Sequence, residues 1–206
     1  MAKRMLDVTA SELKNYKKKE LLESIVKSEG RVMAAECIGL IMPILSDVTN
    51  AEFAAAMGAD IVLLNMFDVK KPVIQALPEV EAIDTVKELK HLTGRVIGIN
   101  LEPVEETDTL ENQGTMWEMS EGRKATVENA TIARDMGVDM ILLTGNPGNG
   151  VSNKAITDSL KALKKTVGED VILAAGKMHA SGIIIEAAEN IITEKDIKSF
   201  IQAGAD

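Results

Sequence analysis

Apolar residues along this chain fall into five short, unbroken runs: VMAAECIG (32–39), IVLLNM (61–66), RVIGINLEP (95–103), MILLTGN (140–146) and DVILAAGKMH (170–179). They are apolar over nearly their whole length rather than alternating. That pattern predicts strands of a parallel sheet covered on both faces, or the staves of a barrel. The first run also suits a buried helix, but its length favours a strand. Between the runs, residues 8–28, 79–92, 124–136 and 153–167 carry apolar positions at helical spacing. Helix starts are marked by Thr9-Ala-Ser-Glu12, Thr49-Asn-Ala-Glu52 and Thr193-Glu-Lys-Asp196, where a hydroxyl and a carboxylate three residues apart can cap each other's backbone amides. Helix ends fall at Gly58, Gly94 and Gly204, positions that suit a left-handed cap.

Strand–helix alternation at this spacing means βαβ units. Five units are countable and no low-complexity linker divides them. Residues 1–206 are therefore expected to form one α/β domain, with a helical cap over 1–30 and βα units over 31–206. Two architectures fit. A five-stranded doubly wound sheet would be complete, but no Gly-x-Gly-x-x-Gly follows the first strand. A (βα)8 TIM barrel needs eight strands and ~250 residues. FAAAMGADIVLLN (53–65) and IARDMGVDMILLTGN (132–146) each run from a helix tail through Gly-x-Asp into a strand, and SFIQAGAD (199–206) repeats the joint with no strand attached. The barrel is the expected fold, with its C-terminal units missing from this chain.

Composition narrows the function. Aromatic residues are 2% of the chain, so the core must be built from aliphatic side chains, alanine and the 11 methionines. The net charge of −9 argues against nucleic acid, which is held by clustered Lys and Arg. The lysine run NYKKKE (15–20) reads as a solvated helix face. The single cysteine, Cys37, excludes an intrachain disulfide and fits a reducing compartment. No signal-peptide h-region and no membrane-length apolar run is present. A cytoplasmic homo-oligomer acting on a small anionic metabolite, with no nucleic acid and no membrane, is the expectation.

In both architectures ligands bind at the carboxyl ends of the strands. The polar residues that interrupt the apolar runs there are the candidates: Glu36, Asn65, Asp68, Asn100, Glu102, Thr144, Asn146, Lys177 and His179. Residues two apart share a strand face, so Asn100 with Glu102, Thr144 with Asn146, and Lys177 with His179 can each point into one pocket mouth. Lys177 follows Ala174, Ala175 and Gly176, which leave room for a ligand. It is the candidate for a Schiff-base amine or an anion holder, or else for an ion pair with Glu102. Glu102 and His179 are candidates for acid/base work. Asn65, Asp68, Asn100, Thr144, Asn146, Gly148 and Gly150 are the substrate-binding candidates, the last four in the glycine-rich loop TGNPGNGVSNK (144–154). That loop lacks the Gly-Lys-[Ser/Thr] ending of a P-loop. Glu36 and Glu102 can share a divalent cation, and oxygen-only ligands suit Mg2+. The polar stretch 104–124, with Trp117, Arg123 and Lys124, is long enough for a lid.

LNMFDVKKPVIQALP, GINLEPVEE, LTGNPGNGVSN and AAGKMHASG resemble a bacterial family of TIM-barrel proteins labelled phosphoenolpyruvate phosphonomutase-like or haloacid-dehalogenase-like. The resemblance covers essentially the whole chain. It implies that the Gly-Ala-Asp joint continues into further strands, and that acidic strand-end residues surround magnesium. This chain lacks the Lys-[Lys/Arg]-Cys-Gly-His run of several phosphonomutase-superfamily members. It also lacks an Asp-x-Asp after a first strand, so the hydrolase label finds no support in the residues. The function implied is lyase or isomerase chemistry on a small phosphorylated or carboxylated metabolite. The alternative is a non-catalytic metabolite-binding or regulatory barrel.

Overall fold

The structure, a computed structural model, describes residues 2–104, 119–145, 151–177 and 192–206. Helices α1 (Ala10–Leu13) and α2 (Lys18–Lys27) precede five strand–helix units. These are β1 (Ala34–Ile38) with α3 (Asn50–Ala56), β2 (Ile61–Asn65) with α4 (Thr85–Thr93), β3 (Val96–Leu101) with α5 (Val127–Asp135), β4 (Met140–Gly145) with α6 (Asn153–Thr166), and β5 (Ile172–Lys177) with α7 (Glu194–Ala203). The strands are parallel and lie in the order β1-β2-β3-β4-β5. Each new strand is added on the same side of the last. A doubly wound sheet reverses its strand order partway, so that alternative is excluded. The sheet is an open arc of barrel staves.

The capping boxes at Thr9, Thr49 and Thr193 form as expected. The single helix expected over 8–28 is instead two. Asn15 Nδ2 donates to the Ser11 carbonyl at 2.8 Å, and the Glu20 carboxylate accepts the Lys17 amide at 3.1 Å and starts a new helix. Side chains that compete with the backbone in this way end helices.

Strand alternation sorts the side chains into two layers. Val62, Leu64, Ile97, Ile99, Leu101, Ile141, Leu143 and Leu173 face the helices, and with Leu89, Ile156, Leu160 and Phe200 they form the main core. On the other face, Ile61, Val96 and Ile172 at the strand starts pack with Met5, Leu13 and Leu21. The N-terminal helices thus plug the lower end of the arc. Lys18 takes part in this closure and is buried, contrary to the solvated face expected of its lysine run. Its Nζ lies 2.5 Å from Asp206 Oδ2 and 2.5 Å from the Gly168 carbonyl.

One joint recurs three times. Gly58, Gly137 and Gly204 have φ of 103°, 93° and 118°, a left-handed turn that only glycine adopts without strain. Two residues later, the Asp60, Asp139 and Asp206 amides donate to the carbonyls of Met33, Ile97 and Leu173. The carboxylate of each aspartate accepts the amide of the same strand residue, at 2.9, 3.0 and 2.9 Å. At Asp60 and Asp139 this clamp sets the register of the strand that follows.

Candidate functional site

Register decides which strand-end side chains meet. Leu64 pairs with Ile99, which sets Asn65 beside Asn100; Leu101 pairs with Leu143, which sets Glu102 beside Thr144. Thr144 in turn pairs with Gly176. Glu36, Asn65, Asn100, Glu102 and Thr144 all share the parity opposite to the helix-facing core residues. The structure therefore gathers them on the inner face of the arc, where Gly98, Ala174 and Gly176 add almost no bulk. Asn65 Nδ2 donates to Glu36 Oε1 at 2.6 Å, while Asn65 Oδ1 accepts the Met66 amide at 2.8 Å. That bond holds Met66 at φ 57°, a left-handed conformation that costs a side-chain-bearing residue on the order of 1–3 kcal/mol.

Glu102 lies beside an arginine that the candidate set omitted. Arg123 Nη2 donates to Glu102 Oε1 at 3.2 Å, with the two side chains 10% and 8% exposed. Two backbone bonds fix the partners: the Glu102 amide donates to the Arg123 carbonyl, and the Ala125 amide donates to the Glu102 carbonyl. Arg123 sits in a 3-10 turn, Glu121–Arg123, that is pinned from the β2 side. Val69 N donates to the Gly122 carbonyl at 3.2 Å. A Cβ on Gly122 would lie 1.7 Å from Asp68 Oδ1, so only glycine lets this carboxylate pass. Asp68 itself accepts the Lys70 and Lys71 amides at 2.8 and 3.0 Å. Among its described contacts, Asp68 organises the loop that supports Arg123. The one sequence signal for Arg123 was its place at the end of a long polar loop after β3.

Asn100 and Thr144 are 7% and 6% exposed, and Asn100 Oδ1 and Thr144 Oγ1 have no hydrogen-bond partner among the described residues. A buried polar atom left unsatisfied costs ~1–3 kcal/mol. Thr144 is level with Glu102, and Asn100 lies one same-face position earlier on β3, so the two atoms lie close to the Glu102 end of a buried ion pair at the carboxyl ends of adjacent strands.

Lys177 is placed elsewhere. It pairs in register with Gly145 and shares its parity with Leu173 and Ala175, on the helix side of β5. Its expected partners are corrected with it: Arg123 holds Glu102, Asn65 holds Glu36, and Lys177 Nζ lies 3.5 Å from Asp196 Oδ2 with its side chain 4% exposed. The i, i+2 rule was sound within the strand, but the face itself is set by neighbouring strands. Asp196 also accepts the Thr193 amide and the Asn153 side-chain amide. The Thr193 backbone bond chiefly, and Lys177 less, hold its carboxyl below the ordinary aspartate value. Lys177→Met is expected to lower stability by ~1–3 kcal/mol, read from the urea midpoint. The loss should shrink as pH falls through the depressed Asp196 pKa, because the pair contributes only while the carboxylate is charged. Unchanged stability at neutral pH would remove this structural role.

His179, Asn146, Gly148 and Gly150 lie outside the described residues, as do 105–118 of the expected lid and Trp117. A divalent cation on Glu36 and Glu102 does not fit the described residues. A guanidinium already faces Glu102, and an added dication there would meet a like charge. No group of three or more His, Cys, Asp or Glu gathers among the described residues. Cys37, beside Glu36, is on the helix face, and burial pushes its thiol up. No helix among the described residues is long and apolar enough to cross a membrane.

These observations define an α/β protein whose parallel staves form an open barrel arc with a polar cluster at the strand ends. The chain belongs to the DUF7916 family, a domain of unknown function, whose profile matches residues 6–206. No curated protein matches it. Among solved structures it is similar to a protein provisionally assigned as a phosphonomutase from Burkholderia cenocepacia J2315, with 15% identity and TM-score 0.50 over 86% of this chain and 67% of that one. It is similar also to the carboxyl transferase domain of Rhizobium etli pyruvate carboxylase, with 16% identity and TM-score 0.51 over 100% of this chain and 31% of that one. A 2,3-dimethylmalate lyase, a PEP mutase/isocitrate lyase superfamily member, aligns at 11% identity and TM-score 0.49 over 97% of this chain and 62% of that one. The first two likenesses agree with the barrel arc. The dehalogenase label of the resembled family finds no support in the family match or in the first two likenesses.

Proposed function

We propose that the inner face of the arc binds a small carboxylate- or phosphate-bearing metabolite for lyase or isomerase chemistry. The observation that carries this reading is the pair of buried atoms without a partner among the described residues, Asn100 Oδ1 and Thr144 Oγ1, close in register to Glu102, the ion-pair partner of Arg123. Asn100 and Thr144 would take the substrate's polar oxygens. Arg123, oriented by Glu102, supplies positive potential where an enolate or oxyanion would develop. Of the two inward carboxylates, Glu36 is the one open to solvent, and the proton-transfer role expected of Glu102 is assigned to it. Asn65 holds Glu36 in place. The similar carboxyl transferase domain was solved with pyruvate, which suggests a first ligand to try. A cytoplasmic homo-oligomer remains part of this proposal.

Calorimetric titration with pyruvate and with phosphoenolpyruvate tests it. At least one should bind, and Asn100→Leu and Thr144→Val should each weaken it ~10-fold or more, that is ~1.4 kcal/mol. Both variants should keep or gain thermal stability, since each removes an unsatisfied buried atom. Binding by neither acid, or full affinity in both variants, would sink the assignment. Binding with no detectable bond cleavage or rearrangement would instead favour the non-catalytic metabolite-binding barrel.

A further inference from the structure

A second cavity lies at the opposite end of the sheet from Asn100 and Thr144. It has a volume of about 570 Å3 and opens between α1 and α4, at the N-terminal ends of β3 and β4. That volume is in the range of small-molecule sites. Its floor is apolar: Leu13, Leu21 and Val96 belong to the lower core cluster. Its walls are basic, with Lys14, Lys87, Lys90 and Arg95 facing a single carboxylate, Asp139. Lys90 occupies that carboxylate at 2.7 Å. Lys87 makes only an exposed pair with Asp84, and Arg95 donates its Nε to the Ala59 carbonyl. Lys14 is exposed and has no ion-pair partner among the described residues. Helix α4 also ends here, and its dipole accounts for one or two cations in its last turn. It does not account for Lys14, the residue that caps the end of α1, or for Arg95, which directly precedes β3. A chain of net charge −9 thus brings two cations without an ion-pair partner among the described residues, Lys14 and Arg95, together with Lys87 in its exposed pair, to one apolar-floored hollow.

We propose that this cleft is a second binding site for an amphiphilic organic anion, whose apolar part lies on Leu13, Leu21 and Val96 and whose carboxylate or phosphate meets Lys14, Lys87 and Arg95. The inference is independent of the strand-end reading, because it uses none of that site's residues. The apolar floor selects against bare inorganic anions, and the lysines select against neutral apolar molecules.

Backbone amide NMR of the full chain, titrated with hexyl phosphate, tests it, with hexanol and inorganic phosphate as separate probes. Hexyl phosphate should shift the Ser11, Lys14 and Gly94 amides saturably with a Kd of ~1 mM or tighter. It should bind ~10-fold more tightly than either control probe. The affinity should fall as NaCl rises, since exposed charges are screened. The combined variant Lys14→Glu/Lys87→Gln changes two exposed side chains, should leave the spectrum dispersed, and should weaken binding ~10-fold or more. Were that variant to misfold, Lys14→Gln alone should still weaken binding severalfold. No saturable shift at these amides, hexanol binding as tightly as hexyl phosphate, inorganic phosphate binding as tightly, or unchanged affinity in the lysine variants would each overturn the proposal.

Discussion

Replacing Arg123 with leucine is expected to destabilise the protein by ~3–5 kcal/mol, because it strips the cation from a carboxylate that is 8% exposed. The buried pair itself stabilises less than that number suggests. Its mutual attraction in a low-dielectric setting largely offsets the desolvation of two charges, and only the loss of one partner exposes the full penalty. The double variant Glu102→Leu/Arg123→Leu should therefore recover most of the stability lost by the single one. Urea denaturation of the three variants, arranged as a double-mutant cycle, measures the coupling. Binding of pyruvate or phosphoenolpyruvate separates the roles. If Arg123 supplies potential to a ligand, the double variant regains stability and still does not bind. A double variant as unstable as Arg123→Leu would show that the pair is not what holds the turn Glu121–Arg123 against β3.

The second large effect is expected at the three Gly-x-Asp joints, which share one backbone geometry and differ only in what surrounds the carboxylate. Asp206→Ala should cost ~3–5 kcal/mol, on the order of 10 °C in Tm, because it leaves Lys18 buried without its carboxylate. Asp206 also receives Lys164 at 3.2 Å. Asp139→Ala should cost less, since its partner Lys90 is 26% exposed and water can replace the carboxylate. Asp60→Ala should cost least, because Asp60 has no ion pair among the described residues and loses only the bond from the Met33 amide. The predicted order is Asp206, Asp139, Asp60. Equal losses at all three would mean that the backbone clamp, and not the buried charge, governs the joint.

The Asp206 effect carries a pH signature. Burial pushes its carboxyl up, but the Leu173 amide and Lys18 outweigh burial, and its pKa lies below the ordinary value. A depressed carboxyl pKa stabilises the fold above the unfolded aspartate value of ~3.9 and loses that contribution as pH falls through the folded value. The stability gap between the parent protein and Asp206→Ala should therefore be full at neutral pH and close below about pH 4. A gap that persists unchanged into acid would place its origin outside the carboxylate.

Much of this architecture was legible in the sequence. The run VMAAECIG (32–39) contains β1, Ala34–Ile38, and 153–167 contains α6, Asn153–Thr166. The break within 8–28 was missed because it depends on one asparagine bonding backward and one glutamate bonding forward, against an otherwise helical period. Asn65, Asn100, Glu102 and Thr144, singled out as polar side chains that interrupt apolar strands at their carboxyl ends, share the inner face of the arc. Arg123 was not found, since no periodicity relates it to the β3 strand end that it faces. Lys177 was assigned to the wrong layer by a rule that fixes which residues share a face but not which face they share.

The sequence by itself determined where the strands and helices lie, how they alternate, and which strand-end positions are polar. Hydrophobic period, capping side chains and glycine conformation are local properties, decided within a few residues. The tertiary structure alone decided the rest: the sequential strand order that makes a barrel arc, the layer that each polar side chain joins, and the charge that each one meets. Glu102 found Arg123 across 21 residues and Lys18 found Asp206 across the whole chain. Such pairings follow from strand register and from the closure of the lower end, which are set by packing between distant segments and leave no local pattern to read.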